Sequence, residues 1–209
     1  MKKAIQIILG IVILVLIFQL YKSIKTPIEF RDVKKARYEA TVEKLKNIRT
    51  AELAYKDEHG RFTGSFDTLI NFIKYDSLSL VKAQGRLSDS LLEAGMTEKE
   101  AVKQGIISRD TVKIAIKDSL FSNDFRPDDL WRVPTTEDDS FQLGAGIVKT
   151  GNVDVKVFEA KVHNDVLLHG LNEQLLVNLN DRMKRKQKKY PGLKVGDLKK
   201  PNNNAGNWE

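Results

Sequence analysis

Ala4-Ile5-Gln6-Ile7-Ile8-Leu9-Gly10-Ile11-Val12-Ile13-Leu14-Val15-Leu16-Ile17-Phe18-Gln19-Leu20-Tyr21 is an uncharged run entered through Lys2 and Lys3. Thirteen of its eighteen residues are Ile, Leu, Val or Phe. At ~1.5 Å per residue the run makes a helix of roughly 27 Å. A bilayer's hydrocarbon core is about 30 Å thick, and so small a mismatch is tolerated. The apolar side chains together favour insertion by roughly 4–8 kcal/mol, which outweighs Gln6 and Gln19 near the ends. A soluble helix of this length would carry a polar stripe, and this run has none. A cleavable signal peptide needs small residues after its apolar stretch, but the chain continues Phe18-Gln19-Leu20-Tyr21-Lys22. With no cysteine in the chain there is no lipobox cysteine either. The run predicts an uncleaved single-pass anchor.

Outward from the anchor, 188 of the 209 residues remain, enough for one domain with a real core. The net charge is +7, and removing Lys2 and Lys3 leaves +5 on the rest. Bases are interleaved with 28 acids, and no aromatic-basic motif accompanies them, which argues against nucleic acid as a partner. Two basic clusters stand out: the stretch after the anchor, with Lys22, Lys25, Lys34 and Lys35, and Arg182 to Lys189. A juxtamembrane basic flank suits an anionic lipid surface, so those four lysines are the candidate lipid-facing residues. Lys2 and Lys3 favour a cytoplasmic N-terminus. The bases after the run, counted alone, favour a cytoplasmic C-terminal domain instead.

Pro27 predicts a bend or break after the anchor. Beyond it, Val42, Leu45, Ile48 and Tyr55 fall near one helical face with Ala51 and Ala54, and His59-Gly60 ends that helix. Glu52 lies among these apolar positions, where pairing with Arg49 or Lys56 is expected of an exposed helical acid. Ser65 caps a short helix bearing Phe66, Leu69, Ile70 and Ile73. Asp76 to Asp110 is less patterned, apart from a Thr97-to-Glu100 capping box. Val112, Ile114 and Ile116 predict a strand. So do Leu130 to Val133, Phe141 to Thr150 and Val153 to Val162, the last two joined at Gly151-Asn152. In Asn172 to Lys189, Leu175, Leu179 and Met183 fit a helix while Leu175, Val177 and Leu179 fit a strand; a helix from about Asn178 is the favoured reading, and the tail after Tyr190-Pro191-Gly192 reads as irregular. The fold class is α+β: an N-terminal transmembrane helix, an amphipathic helix, then a small antiparallel sheet domain with short helices. The divisions are 1–21 (cytoplasmic tip and span), 22–59 (juxtamembrane and amphipathic helix) and 60–209 (head).

Leu45-Lys46-Asn47-Ile48-Arg49-Thr50-Ala51-Glu52-Leu53-Ala54-Tyr55-Lys56-Asp57-Glu58-His59-Gly60-Arg61-Phe62-Thr63, in that segment order, resembles bacterial type IV pilins and pseudopilins. There a long N-terminal helix ends in a similar Ala-Tyr segment and Gly-Arg-Phe turn, followed by an antiparallel sheet. The whole chain also resembles a set of bacterial membrane-anchored proteins ending in a similar Tyr-Pro-Gly-Leu-Lys-Val-Gly and Asn-Asn-Asn-Ala-Gly-Asn-Trp-Glu. The resemblance implies an inner-membrane, single-pass protein with a periplasmic head, whose N-terminal helices pack with one another or with partner proteins. Gly10, Leu45, Ile48 and Tyr55 are the helix-packing candidates. The sequence departs from the pilin processing pattern: Gly10 is followed by Ile11, Val15 stands at the fifth place that pilins give to Glu, and the leader is apolar.

No catalytic motif is present. Serine or cysteine nucleophile signatures, phosphate-binding Gly-rich loops and HExxH are all missing, so the reading is of a non-enzyme. Gly144-Ala145-Gly146 inside a strand pattern predicts a bulge or close packing. His163 and His169 lie six apart, a spacing that matches no fixed zinc motif, and His59 stands alone. Asp128-Asp129 and Asp138-Asp139 could gather calcium-binding oxygens, without the spacing of an EF-hand. The expectation is no cofactor, with calcium as the lesser alternative. The functional expectation is a structural or assembly protein. A membrane-tethered adaptor, cytoplasmic and using its basic flank on lipid, is the second reading, and a membrane-anchored enzyme the third.

Overall fold

The structure is a computed structural model describing residues 2–84, 95–106, 108–136 and 138–209. Helix α1 (Lys2–His59) is one continuous helix of 58 residues, about 87 Å long. Pro27 lies inside it, which corrects the expected break. Proline removes one helical hydrogen bond and costs ~3 kcal/mol. Unwinding the helix at that point would release several more backbone groups. The predicted stop holds: Gly60 adopts φ 69°, and its N–H closes on the Lys56 carbonyl at 2.7 Å.

Helix α2 (Phe66–Tyr75) is capped by Ser65, whose hydroxyl accepts the Thr68 N–H, and it buries Leu69, Phe72 and Ile73. A two-stranded antiparallel sheet follows, formed by β1 (Ser77–Gln84) and β2 (Ser108–Ala115) in register from Ser77↔Ala115 to Gln84↔Ser108. The unpatterned middle therefore contains a strand, β1, whose Leu78 and Leu80 alternate with Ser77 and Ser79. Residues 85–94 and 107 of that stretch lie outside the described ones. Helix α3 (Glu98–Lys103) begins with the expected capping box: the Thr97 N–H and hydroxyl both donate to the Glu100 carboxylate at 2.9 Å.

After α4 (Ile116–Leu120) and a 3-10 turn (Pro127–Asp129), Leu130 to Val133 is not a strand but a turn carrying only an isolated bridge, Arg132↔Ser140. Leu130 and Val133 are both fully buried. Residues three apart face one side of a turn but opposite sides of a strand, so their joint burial requires the turn.

The second sheet is three-stranded and antiparallel, in the order β3 (Gln142–Thr150), β4 (Val153–His163), β5 (Gly192–Gly196). Gly151-Asn152 makes the predicted hairpin turn, with Thr150 opposite Val153. Leu198 packs over β3, so that a Cβ added at Gly144 would stand 3.0 Å from its Cδ1. Close packing is therefore the reason for that glycine. Between β4 and β5 come α5 (Asn164–Leu167) and α6 (Glu173–Asp181), the latter running into one π turn (Arg182–Lys186). The helix starts at Glu173 rather than near Asn178 because the Asn172 side chain caps it, accepting the Leu175 N–H at 3.0 Å.

The second half of α1 lies on the β4–β5 face. Leu45, Ile48, Ala51 and Tyr55 pack in one cluster with Phe158, Ala160, Val162, Leu193 and Val195. Each fully buried Leu, Ile or Phe contributes ~1.5–3 kcal/mol by leaving water. Segments 22–59 and 60–209 thus share one core. The tail is turn-rich, as expected, but pinned. Asn207 accepts the Lys194 N–H at 3.0 Å and donates to the Gly192 carbonyl at 2.9 Å, and Gly206 bridges Val195.

Candidate membrane-proximal site

Among the described residues, none of the apolar run is buried. An 18-residue window of α1 has mean hydropathy 2.4 and is 0% buried, and this helix is long and apolar enough to cross a membrane. Gly10 sits in that exposed half, with open space where a Cβ would be. The other helix-packing candidates are placed differently: Leu45, Ile48 and Tyr55 are consumed by the head's own core.

The basic flank divides along the continuous helix. Lys22 follows the run directly. The Lys25 ammonium donates to the Glu29 carboxylate 3.3 Å away, and that hydrogen bond, with the carboxylate's charge, raises its pKa. Lys34 and Lys35 lie a further nine and ten residues along, roughly 14–15 Å at the helical rise. Lys34 is half-buried, its ammonium 5.1 Å from the Tyr38 ring centre. Burial, and then the charge of Arg182, lower its pKa. Lys35 pairs weakly with Glu39 at 3.9 Å.

The head reaches back to the end of the apolar run. Helix α6 lies beside α1 and leaves an open groove of about 440 Å³. Gln19, Lys22, Ser23, Thr26 and Pro27 form one wall; Asn172, Gln174 and Leu175 form the other. Side-chain bonds to α1 fix the α5–α6 segment. Arg37 donates to the carbonyls of Leu167 and His169 at 3.0 and 2.9 Å. The Tyr38 hydroxyl donates to the buried Asn164 at 2.5 Å, and Asn164 donates on to Asn180 at 2.9 Å. Burial pushes the Tyr38 hydroxyl up to about 12, so it keeps its proton and remains a donor.

Glu52 overturns its expected pairing. It is fully buried; its Oε2 accepts the Thr63 N–H at 3.0 Å, and among the described residues Oε1 has no partner. Arg49 instead turns to Glu209 at 2.7 Å. Burial pushes the Glu52 carboxyl up to about 8, against the Thr63 hydrogen bond, which lowers it. The signal was legible: Glu52 stands four residues after Ile48 and three before Tyr55, on the buried face.

His59 and His163 serve local structure. His59 stacks on Tyr55 with centroids 4.2 Å apart, and the His163 ring accepts the Asp165 N–H at the start of α5. Asp128 is paired with Lys74, and Asp129 with Arg132 at 3.7 Å. Among the described residues no three His, Cys, Asp or Glu side chains converge as metal ligands would. On the outer face of the second sheet, Glu159 bridges Lys161 at 2.6 Å and Lys194 at 3.1 Å, and Lys194 also reaches Asp197 at 2.8 Å. This is a satisfied ion network that sequence reasoning missed because it spans β4 and β5. Comparison with family models, with curated proteins and with solved structures found no match for this chain.

Proposed function

We propose that the chain is a single-pass, membrane-anchored structural or assembly protein of pilin-like build, with its head on the periplasmic side of the inner membrane. It acts through helix packing in the bilayer and protein contacts made by the head. The observation that carries this reading is a division within one helix: the first part of α1 is apolar and unburied, while the last part is the spine of a folded head. Such a helix gains nothing from its exposed apolar half in water and several kcal/mol from lipid. Self-association would run along the exposed half, where Gly10 leaves room for a neighbouring helix.

Three measurements test the reading. The full chain should stay with membranes through alkaline carbonate extraction, and a reporter active only in the periplasm should work when fused after Glu209. An inactive reporter removes the periplasmic head. Within the bilayer, Gly10→Leu should weaken crosslinking between copies, and unchanged crosslinking would sink the helix-packing role.

A tethered adaptor with a cytoplasmic head is the second reading. It is favoured by the six bases from Lys22 to Arg37 that follow the run, against two before it. The same reporter fusion separates the two.

A further inference from the structure

We propose that the groove between α1 and α6 seats the headgroup of one anionic phospholipid. The proposal rests on reading Ala4 to Tyr21 as a membrane span, and it holds on whichever side the head lies.

Position carries the argument first. The α1 wall of the groove runs from Gln19 to Pro27, eight residue steps or about 12 Å along the axis. The layer between hydrocarbon and water is about 5–8 Å thick on each side of a bilayer. A groove that begins two residues before the end of the apolar run therefore starts at the hydrocarbon edge and covers the whole headgroup layer.

Charge comes next. Lys22 is the single charged residue lining the groove. Lys25 has Glu29, whereas Lys22, among the described residues, is in no ion pair. One unopposed ammonium facing a phosphodiester layer is the arrangement that binds one anionic headgroup.

The polar groups around it suit glycerol hydroxyls. Pro27 has no N–H to give the Ser23 carbonyl, so that carbonyl is left as an acceptor in the groove wall. Thr26, Asn172 and Gln174 supply further hydrogen-bonding groups, and Leu175 gives an apolar surface for the glycerol backbone. The volume of about 440 Å³ falls within the range of small-ligand sites. The Arg37 and Tyr38 bonds hold α6 in place before any lipid arrives. A soluble phosphate ester would meet the same groups, but the groove lies in the layer that lipid headgroups already fill.

The test uses the full chain reconstituted in phosphatidylcholine vesicles with and without a minor fraction of phosphatidylglycerol. The protein is then extracted in mild detergent, and retained lipid is identified by native mass spectrometry. Wild type should retain phosphatidylglycerol over phosphatidylcholine by about fivefold, the effect expected of one basic side chain at an anionic surface. Lys22→Gln should abolish the preference, Lys22→Glu should reverse it, and Lys35→Gln should leave it intact. Equal retention of the two lipids by wild type, or equal loss in the Lys22→Gln and Lys35→Gln variants, overturns the proposal. So does displacement of the lipid by soluble glycerol phosphate. Failure of wild type to float with phosphatidylcholine vesicles is a different failure, because it removes the membrane span on which the proposal rests.

Discussion

The Glu52 carboxylate accepts the Thr63 backbone N–H at 3.0 Å, tying the last turns of α1 to the loop that follows Gly60. Both residues are buried, and among the described residues the second carboxylate oxygen has no partner. The group therefore works best as a neutral acid, with the proton on Oε1 and Oε2 left to accept. Its folded pKa is raised to about 8, above the unfolded value of a glutamate near 4.5. The folded state thus holds the proton more tightly than the unfolded chain. This stabilisation is fully present below the unfolded pKa and is lost as pH rises through the folded one. The full chain in detergent should lose stability toward pH 8 at a rate approaching ~1.4 kcal/mol per pH unit from this group. Glu52→Gln should flatten that fall and be the more stable protein above pH 8. Urea unfolding followed by tryptophan fluorescence reads both; equal slopes for the two proteins would remove Glu52 as the cause.

The Asn207 side chain closes the tail onto β5 with two bonds, one to the Lys194 N–H and one to the Gly192 carbonyl. Asn207→Ala leaves both partners unpaired and should destabilise the head by about 1–3 kcal/mol. Asn207→Asp keeps the acceptor and loses the donor, so it should fall between the two. Hydrogen exchange at Lys194 and Gly196 is the local readout. Protection unchanged in the alanine variant would mean that the tail is not held by this side chain.

Gly196 has φ 72°, and a Cβ there would stand 2.1 Å from the Phe158 carbonyl oxygen. Gly196→Ala must therefore push β5 away from β4 and should abolish folding. Gly151→Ala also has positive φ but meets open space, so it should cost only about 1–2 kcal/mol of backbone strain. Phe158→Ala empties the centre of the same sheet and should cost about 3–5 kcal/mol. Similar thermal midpoints for the two glycine variants would contradict the close β4–β5 approach.

Replacing Val12 and Leu16 with lysine adds about 5–7 kcal/mol of insertion cost, close to the whole apolar gain of the run. The double variant should appear in the carbonate-soluble fraction while its head stays folded, because neither residue touches the core. Full retention in the membrane pellet would mean that something other than this run holds the protein there.

Short-range signals were the legible ones. Gly60, Ser65, the Thr97–Glu100 box and the Gly151-Asn152 turn each act within a few residues, and each behaves as its chemistry dictates. The failures needed information from elsewhere in the chain. Strand β5 offers only Leu193 and Val195 between two glycines, and its partner β4 lies some thirty residues upstream. Leu130 to Val133 is apolar because it plugs the core from a turn. The charge of Glu52 points to an exposed acid, but its position on the Ile48–Tyr55 face is the better guide. The groove was not legible at all. It exists because Arg37 and Tyr38 draw α6 back along α1, through bonds between residues more than a hundred positions apart.

Because α1 runs unbroken from the apolar run into the head core, the two are set on one shaft. Inserting a single residue between Tyr21 and Pro27 would turn the apolar face by about 100° relative to the head and push the two apart by ~1.5 Å. Four inserted residues would nearly restore the facing and add about 6 Å of reach. The azimuth of the head about the apolar run is thus encoded in the count of residues below Arg37, and can be dialled one residue at a time.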